Sequence, residues 1–329
     1  MTNPEPGAIV GVIGCGVTGA RVVGLLLERG VRVAVFDPRS NVGVRRRGVV
    51  VVDSAADLAV CDLVVMCQPA PHAELAAQML ANGTRVVSIG DDLADLREML
   101  SLQEVAVRHD ASLVVGAGMA PGLSGLLARS LAAQLHTLDE LHVAIHGTAG
   151  PACARQHHDA LGDTALGWHD HEWIEPPGGS GRDLVWFPEP IGAHDCYRAA
   201  LGDPLLLQRS FPQVGRISAR VSATRRDRFT ARLPMLTPPH ASGSLGAVRV
   251  EARGADALGE RVTVISGASG HTGDLAAAVA AMTAYHVLVA GLAPGVHALG
   301  DESLPLLHDA TTFGVRVQEF TGVARATSW

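Results

Sequence analysis

The stretch that most constrains this chain lies near its start: Ile9–Gly19, Ile-Val-Gly-Val-Ile-Gly-Cys-Gly-Val-Thr-Gly. A short apolar run, Ile9–Ile13, ends in Gly14-Cys15-Gly16-Val17-Thr18-Gly19 and passes directly into a helical pattern. This is G-x-G-x-x-G between a strand and a helix, with an acidic residue, Asp37, closing the next strand. Gly14 permits the tight turn, Gly16 lets a pyrophosphate approach the backbone, and Gly19 lets helix and strand pack closely. The helix start adds unpaired N–H groups and about half a positive charge, both favourable to phosphate. Gly14, Cys15, Gly16, Val17, Thr18 and Gly19 are therefore the first candidate dinucleotide contacts.

A chain of 329 residues, 47% hydrophobic and 18% charged, has material for about two domains with real cores. No apolar run reaches the roughly 18 residues of a membrane span, and the first residues lack a basic leader pattern. The expectation is a cytoplasmic protein without a membrane partner. The net charge of −7 argues against nucleic acid as a partner. All 26 basic residues are arginine, so Schiff-base lysine chemistry and a lysine general base are excluded. Cys15, Cys61, Cys67, Cys153 and Cys196 are scattered without a CxxC pair and read as buried thiols.

Helical periodicity runs from Val17 to about Arg29, and the next strand, Arg32–Phe36, delivers Asp37 at its carboxyl end. A carboxylate there accepts ribose hydroxyls and repels a 2′-phosphate, whereas Arg39 and Arg45-Arg46-Arg47 pull the other way through guanidinium–phosphate pairing. The cofactor expected is NAD(P), with NAD slightly favoured. Val49–Val52, Leu63–Cys67, Arg85–Ile89 and Ser112–Val115 read as further buried strands alternating with helices. The fold class is α/β, a doubly wound Rossmann sheet whose ligands sit beyond the strands' carboxyl ends. The loops at Gly14–Gly19, Gln68–His72 (Gln68 and Pro69 foremost), Gly90–Asp92 and Gly116–Gly122 should line one crevice. His72 reads as a helix-starting residue.

At Gly116-Ala117-Gly118-Met119-Ala120-Pro121-Gly122-Leu123 the chain resembles the saccharopine dehydrogenase-like group, which includes saccharopine reductases and carboxynorspermidine dehydrogenases. That group closes its nucleotide domain with a strand, a G-x-G-x-x-P-G turn and a helix, here Leu123–Leu135. The N-terminal GCGVTG, Trp186–Gly192 (WFPEPIG) and the strand pair with its long Ala-rich helix (Val248–Gly291) agree in kind. The resemblance adds Gly116, Gly118 and Met119 to the cofactor candidates and implies chemistry at a C–N bond of a small amino or imino acid. Ala120 stands where the group usually has Asp. The Gfo/Idh/MocA group shares the Pro-plus-His loop, but its Glu-Lys-Pro signature is absent, Ser88–Asp92 occupying that region.

In the second half, apolar residues alternate with polar ones at Ile217–Ala223 and Val248–Arg253, as in half-buried strands of a mostly antiparallel sheet. Leu141–His146, Arg261–Ser266 and Gly314–Phe320 read as further strands. Asp274–Leu292 is apolar nearly all round and so reads as a buried helix, packing back on the nucleotide domain as the resemblance implies. The boundaries expected are 1–124 for the dinucleotide domain, 125–272 for a substrate and dimerisation α+β domain, and 273–329 for a helix and strand packing on both. Gly147–Pro212 reads as a long irregular segment, the kind that carries a site. His157-His158-Asp159 and His169-Asp170-His171-Glu172 lie in it without HExxH or CxxC spacing, so no metal is expected. His146, at a strand end, and Glu189 are candidate acid–base groups. Arg226, with Arg182 and Arg198, is a candidate carboxylate clamp. The reading is an NAD(P)-dependent oxidoreductase, a homodimer, acting on a small amino or imino acid. A cyclodeaminase or synthase that recycles its bound NAD, and a non-catalytic redox sensor, are the alternatives.

Overall fold

The computed structural model describes residues 7–39, 48–235 and 238–321. The first half alternates strands and helices: β1 (Ile9–Ile13), α1 (Val17–Glu28), β2 (Arg32–Phe36), β3 (Val49–Val51), β4 (Leu63–Met66), α2 (Ala73–Ala81), β5 (Arg85–Ser88), α3 (Leu93–Leu100), α4 (Gln103–Arg108), β6 (Ser112–Val115) and α5 (Leu123–Ala132). The second half runs β7 (Thr137–His146), α6 (Pro151–Gly162), β8 (Gly167–His169), β9 (Glu172–Ile174), β10 (Asp183–Phe187), β11 (Gly192–Arg198), α7 (Asp203–Ser210) and β12 (Arg216–Ser222). It ends with α8 (Arg225–Thr230), β13 (Leu245–Ala255), β14 (Arg261–His271), α9 (Thr272–Ala290), β15 (Gly295–Ala298) and β16 (Val317–Thr321).

Seven strands form a parallel sheet in the order β15-β6-β5-β4-β1-β2-β3. Its central strands are apolar throughout because helices cover both faces: Leu63, Val64, Val65 and Met66 are all completely buried. The order in which strands are added reverses at β1, with β2 on one side and β4 on the other. Such a switch point opens a crevice at the carboxyl ends of the strands. The seventh strand, β15, comes from far along the chain. Its four residues, Gly-Val-His-Ala, are too short and too mixed to show a period in the sequence.

The second sheet has nine strands, ordered β10-β11-β12-β7-β13-β14-β16 with β8 and β9 off the edge of β12. Every pairing along it is antiparallel except β12 with β7. The alternation sorts its faces. Ile217, Ala219 and Val221 are buried, while Ser218, Arg220 and Ser222 between them are half-buried. On the polar side Glu251 ion-pairs with both Arg249 and Arg253.

Residues 147–212 are not the irregular segment the sequence suggested. They hold α6, α7 and four strands, and the Gly and Pro residues punctuate short elements. Contrary to the expectation that no apolar run reaches a membrane span, the helix α9, 19 residues with mean hydropathy 1.4 in its most apolar window, is long and apolar enough to cross a bilayer by length and composition alone. Here 72% of that window is buried within the fold. α9 packs on α1, on β4 and β5 of the parallel sheet and on β14 of the second, and Asp274 at its start pairs with Arg21 of α1. It ties the two sheets together and fixes the floor of the crevice between them.

Candidate active site

The turn between β1 and α1 is built as tightly as its glycines allow. Gly14 has φ +84°, and a Cβ there would lie 2.7 Å from the Gln68 backbone nitrogen. A Cβ at Gly19 would lie 1.8 Å from the Gly14 carbonyl oxygen. Gly16 differs. Its φ of −72° suits any residue, and a Cβ there would meet only Arg39 Nη2, at 3.7 Å. Gly16 caps α1 without a side-chain hydrogen bond, so its first-turn N–H groups are free for an anion.

Asp37 sits at the end of β2 as expected, but its carboxylate is taken. Oδ2 accepts from the Cys15 N–H (2.7 Å) and from Arg39 Nη2 (2.8 Å), and Oδ1 accepts from the Arg39 N–H (2.9 Å) and Nε (3.0 Å). Two oxygens offer about four acceptor positions, and all four are used. The Asp37 side chain is 4% exposed and that of Arg39 67%, so the guanidinium is the group presented to a ligand. Hydrogen bonding from Arg39 holds the Asp37 carboxyl below its ordinary range, while burial and Asp37 push the Cys15 thiol up to about 11. Arg45, Arg46 and Arg47 lie outside the described residues.

A cavity of about 550 Å³ opens where the strands of the parallel sheet end. The turns after five neighbouring strands border it, through Gly14–Thr18 without Cys15, Asp37–Arg39, Gln68–Ala70, Gly90–Asp91 and Gly118–Ala120. Four strand spacings make this side about 19 Å long, the span of an extended ligand lying across the sheet. Of the candidate cofactor contacts, Gly14, Gly16, Val17, Thr18, Asp37, Arg39, Gln68, Pro69, Gly118 and Met119 line the cavity. Cys15, Gly19 and Gly116 stand behind it and shape its turns. Gln68 Oε1 is buried without a hydrogen-bond partner, the state of an acceptor awaiting a ligand donor. The open Cβ position at Gly16, the uncapped α1 start and this orphan oxygen fit a dinucleotide.

His72 lies beneath the cavity. Its ring is bonded to Ser88 Oγ (2.7 Å) and the Gln68 carbonyl (2.8 Å), and burial lowers its pKa. It is a neutral brace for the loop after β4.

The opposite wall belongs to the second half of the chain, chiefly the start of α6. Gly150 and Pro151 open this helix, Cys153 falls in its first turn and His157 one turn later on the same side. Cys153 Sγ lies 3.8 Å from His157 Nε2, which is also 3.8 Å from Asp91 Oδ2. All three residues line the cavity. Burial pushes the His157 imidazole down, but Cys153 and Asp91 more than reverse this and hold it well above its ordinary value. His157 Nδ1 has no hydrogen-bond partner. Behind it, burial raises the Asp203 carboxyl to about 6 despite a hydrogen bond from Ser124 Oγ (2.5 Å). Arg155, on the same helix, also borders the cavity.

The three catalytic candidates read from the sequence lie elsewhere. His146 ends β7, but strand alternation turns Ile145, not His146, toward the cavity. His146 instead bonds Ser222 Oγ (2.8 Å) and stacks 4.2 Å from the His194 ring, and burial lowers its pKa to about 4. Glu189 is exposed in the connection between β10 and β11, where its carbonyl accepts from Ser269 Oγ. Arg226 is exposed on α8. Arg182 pairs with Asp195 at 2.9 Å, and Arg198 packs beneath Gly181. Asp91 falls in the Gly90–Asp92 loop expected on the crevice, whereas Cys153, Arg155 and His157 were not singled out as lining it. A Gly-Pro helix start followed by Cys-x-x-x-His was a readable signal. It was lost because the segment looked irregular and its cysteine was counted among buried thiols.

Among solved structures, the chain is similar to apo saccharopine dehydrogenase (L-Glu forming) from Saccharomyces cerevisiae. The TM-score is 0.70 at 15% identity, covering 96% of this chain and 100% of that one. It is also similar to a meso-dapdh mutant with DAP from Clostridium tetani E88, at TM-score 0.49 and 12% identity, covering 88% and 93%. No family model and no curated protein matches the sequence. The protein thus has the two-domain fold of a saccharopine dehydrogenase, a Rossmann sheet joined to a second, mixed sheet.

Proposed function

We propose that the protein is an NAD(P)-dependent oxidoreductase acting on a C–N bond of a small amino or imino acid. The observation that carries this reading is one cavity lined on one side by the dinucleotide turns and on the other by Asp91, Cys153, Arg155 and His157. When bound, a nicotinamide dinucleotide supplies or removes a hydride. The glycine turn and the α1 start would hold its diphosphate, and Gln68 Oε1 would accept a hydrogen bond from it. Arg39 is the exposed member of the Asp37 pair, and a guanidinium suits a 2′-phosphate. This favours NADP over the NAD that Asp37 alone suggested. Arg155 offers a cation for a substrate carboxylate, and His157, whose hold on a proton is strengthened by Cys153 and Asp91, offers an acid–base group in a chain that has no lysine.

Anaerobic incubation with NADPH or NADH and a panel of amino acids paired with keto acids or aldehydes tests the reading. Consumption of reduced cofactor with formation of a secondary amine or amino acid is the expected result. Product without net consumption means recycled cofactor, and tight binding without turnover across the panel means a sensor. Either outcome refutes the oxidoreductase.

A further inference from the structure

We propose that Cys153 is a covalent nucleophile for an aldehyde substrate, with His157 as the group that takes and returns the thiol proton. Four structural features support this. The thiol lies in the first turn of a 12-residue helix whose N-cap, Gly150, makes no side-chain cap bond, so the positive end of the helix lies beside the sulfur. The His157 ring stands 3.8 Å from the sulfur, and Asp91 flanks it at the same distance. His157 is 7% exposed and its Nδ1 is unpartnered, so the fold makes no structural use of that ring nitrogen. Finally, Cys153 opens on the cavity whose other wall is the dinucleotide turns.

Burial pushes Cys15 and Cys61 to about 11 and Cys196 to about 12, and it raises Cys67 further still. Cys15, Cys61 and Cys196 are packing cysteines, and Cys67, though it borders the cavity, is held as a thiol by burial. The same three side chains could also be imagined around a metal ion. A metal-bound imidazole, however, almost always donates its second ring N–H to a fixed partner, and Nδ1 of His157 has none. The geometry favours nucleophile and base.

The step balances without an oxidant. The thiol proton passes to His157 Nε2, and the sulfur electron pair forms a bond to the aldehyde carbon. The carbonyl π pair moves to oxygen, which takes the proton back, leaving a thiohemiacetal on Cys153. Forming or cleaving a C–N bond by imine chemistry has a carbonyl compound on one side, and this inference rests on that reading for its electrophile. It narrows the class to aldehydes, whose open carbon accepts a thiolate readily.

The test treats the folded, full-length chain with iodoacetamide at pH 6 and reads each cysteine by peptide mass spectrometry. Cys153 should be alkylated at least about tenfold faster than any other cysteine, and His157→Asn should slow it about tenfold. Glyoxylate, an aldehyde bearing a carboxylate, should protect Cys153 in a saturable way, and acetate should not. Uniform labelling, an unchanged rate in a folded His157→Asn, or no protection by glyoxylate overturns the proposal. So does a tightly bound zinc ion that must be chelated before Cys153 reacts. The wild-type labelling and protection data decide the matter if the variant fails to fold. NADPH binding measured on the same sample separates the two claims, because its absence refutes the dinucleotide reading and leaves the thiol result standing.

Discussion

Gly16 and Gly19 belong to one motif, yet the structure gives them opposite tasks, and alanine at each should separate ligand from fold. At Gly16 a Cβ meets nothing but the tip of Arg39 at 3.7 Å, and φ of −72° costs alanine nothing. Gly16→Ala should therefore fold as well as the parent, or better by about 0.4–1 kcal/mol through a stiffer unfolded chain. The new methyl would occupy the approach to the backbone that a pyrophosphate needs. Overpacking of that kind costs about 1–3 kcal/mol, or about 5- to 150-fold in dinucleotide affinity. At Gly19 the Cβ would sit 1.8 Å from the Gly14 carbonyl oxygen, a backbone atom that cannot swing aside. The turn would have to shift by more than an ångström, costing about 3 kcal/mol or more and lowering the melting temperature by about 5 °C or more. Thermal unfolding paired with fluorescence titration of NADPH reads both quantities. A Gly16→Ala protein that binds NADPH like the parent, or a Gly19→Ala protein that melts like it, would refute this division of labour.

Arg39→Ala should weaken NADPH binding by about tenfold or more, the loss of a charge-assisted hydrogen bond, and weaken NADH much less. Equal losses in parallel titrations would show that Arg39 does not read the 2′-phosphate. His146→Ala should leave kcat and KM within about twofold, because the ring faces away from the cavity, whereas Arg155→Ala should raise the substrate KM by about tenfold with little change in kcat. The reverse pattern in steady-state kinetics would move the reacting end to the other side of β7. Asp203 gives a pH test. Its folded carboxyl titrates near 6 against 3.8 unfolded, so its stabilising contribution is complete below 3.8 and is lost as pH rises to about 6. The loss is about 3 kcal/mol at 1.36 per pH unit. Denaturation of Asp203→Asn across pH 4–7 should show its stability, relative to the parent, rising over that window; parallel curves would count against a buried, proton-retaining carboxyl.

The sequence was legible where one short segment determines its own geometry. Strand, glycine turn and helix at Ile9–Glu28 follow from residues that touch one another, and the runs Leu63–Met66 and Leu113–Val115 are apolar because both faces of the sheet are covered. It was illegible where a partner from elsewhere decides the outcome. Asp37 looked free to accept ribose hydroxyls, and only the fold shows Arg39 and the Cys15 N–H already filling its lone pairs. The Gly295–Ala298 strand exists because Ser112–Val115 offers it an edge, not because four mixed residues prefer extension. At His146 the error was one of parity: the strand was recognised, but a single position decides which face a side chain joins.

The absence of lysine bears on the site in a way that neither level shows alone. It removes the most common cationic amine from any acid–base or covalent scheme and leaves His, Cys, Asp, Glu, Tyr or water to move the proton. Among the described residues lining the cavity, the titratable ones are the Asp37–Arg39 pair beyond β2, Cys67, Asp91, Cys153, Arg155 and His157. The Asp37 carboxylate is filled by Arg39 and the Cys15 N–H, Arg39 faces the cofactor end, and burial keeps Cys67 protonated. Arg155 offers hydrogen-bond donors only. What remains is Asp91, Cys153 and His157, three groups drawn from the loop after β5 and the first two turns of α6 and held within 4.8 Å of one another. Composition restricts the chemistry to these residue types, and the meeting of two distant segments selects which members of each type can act together.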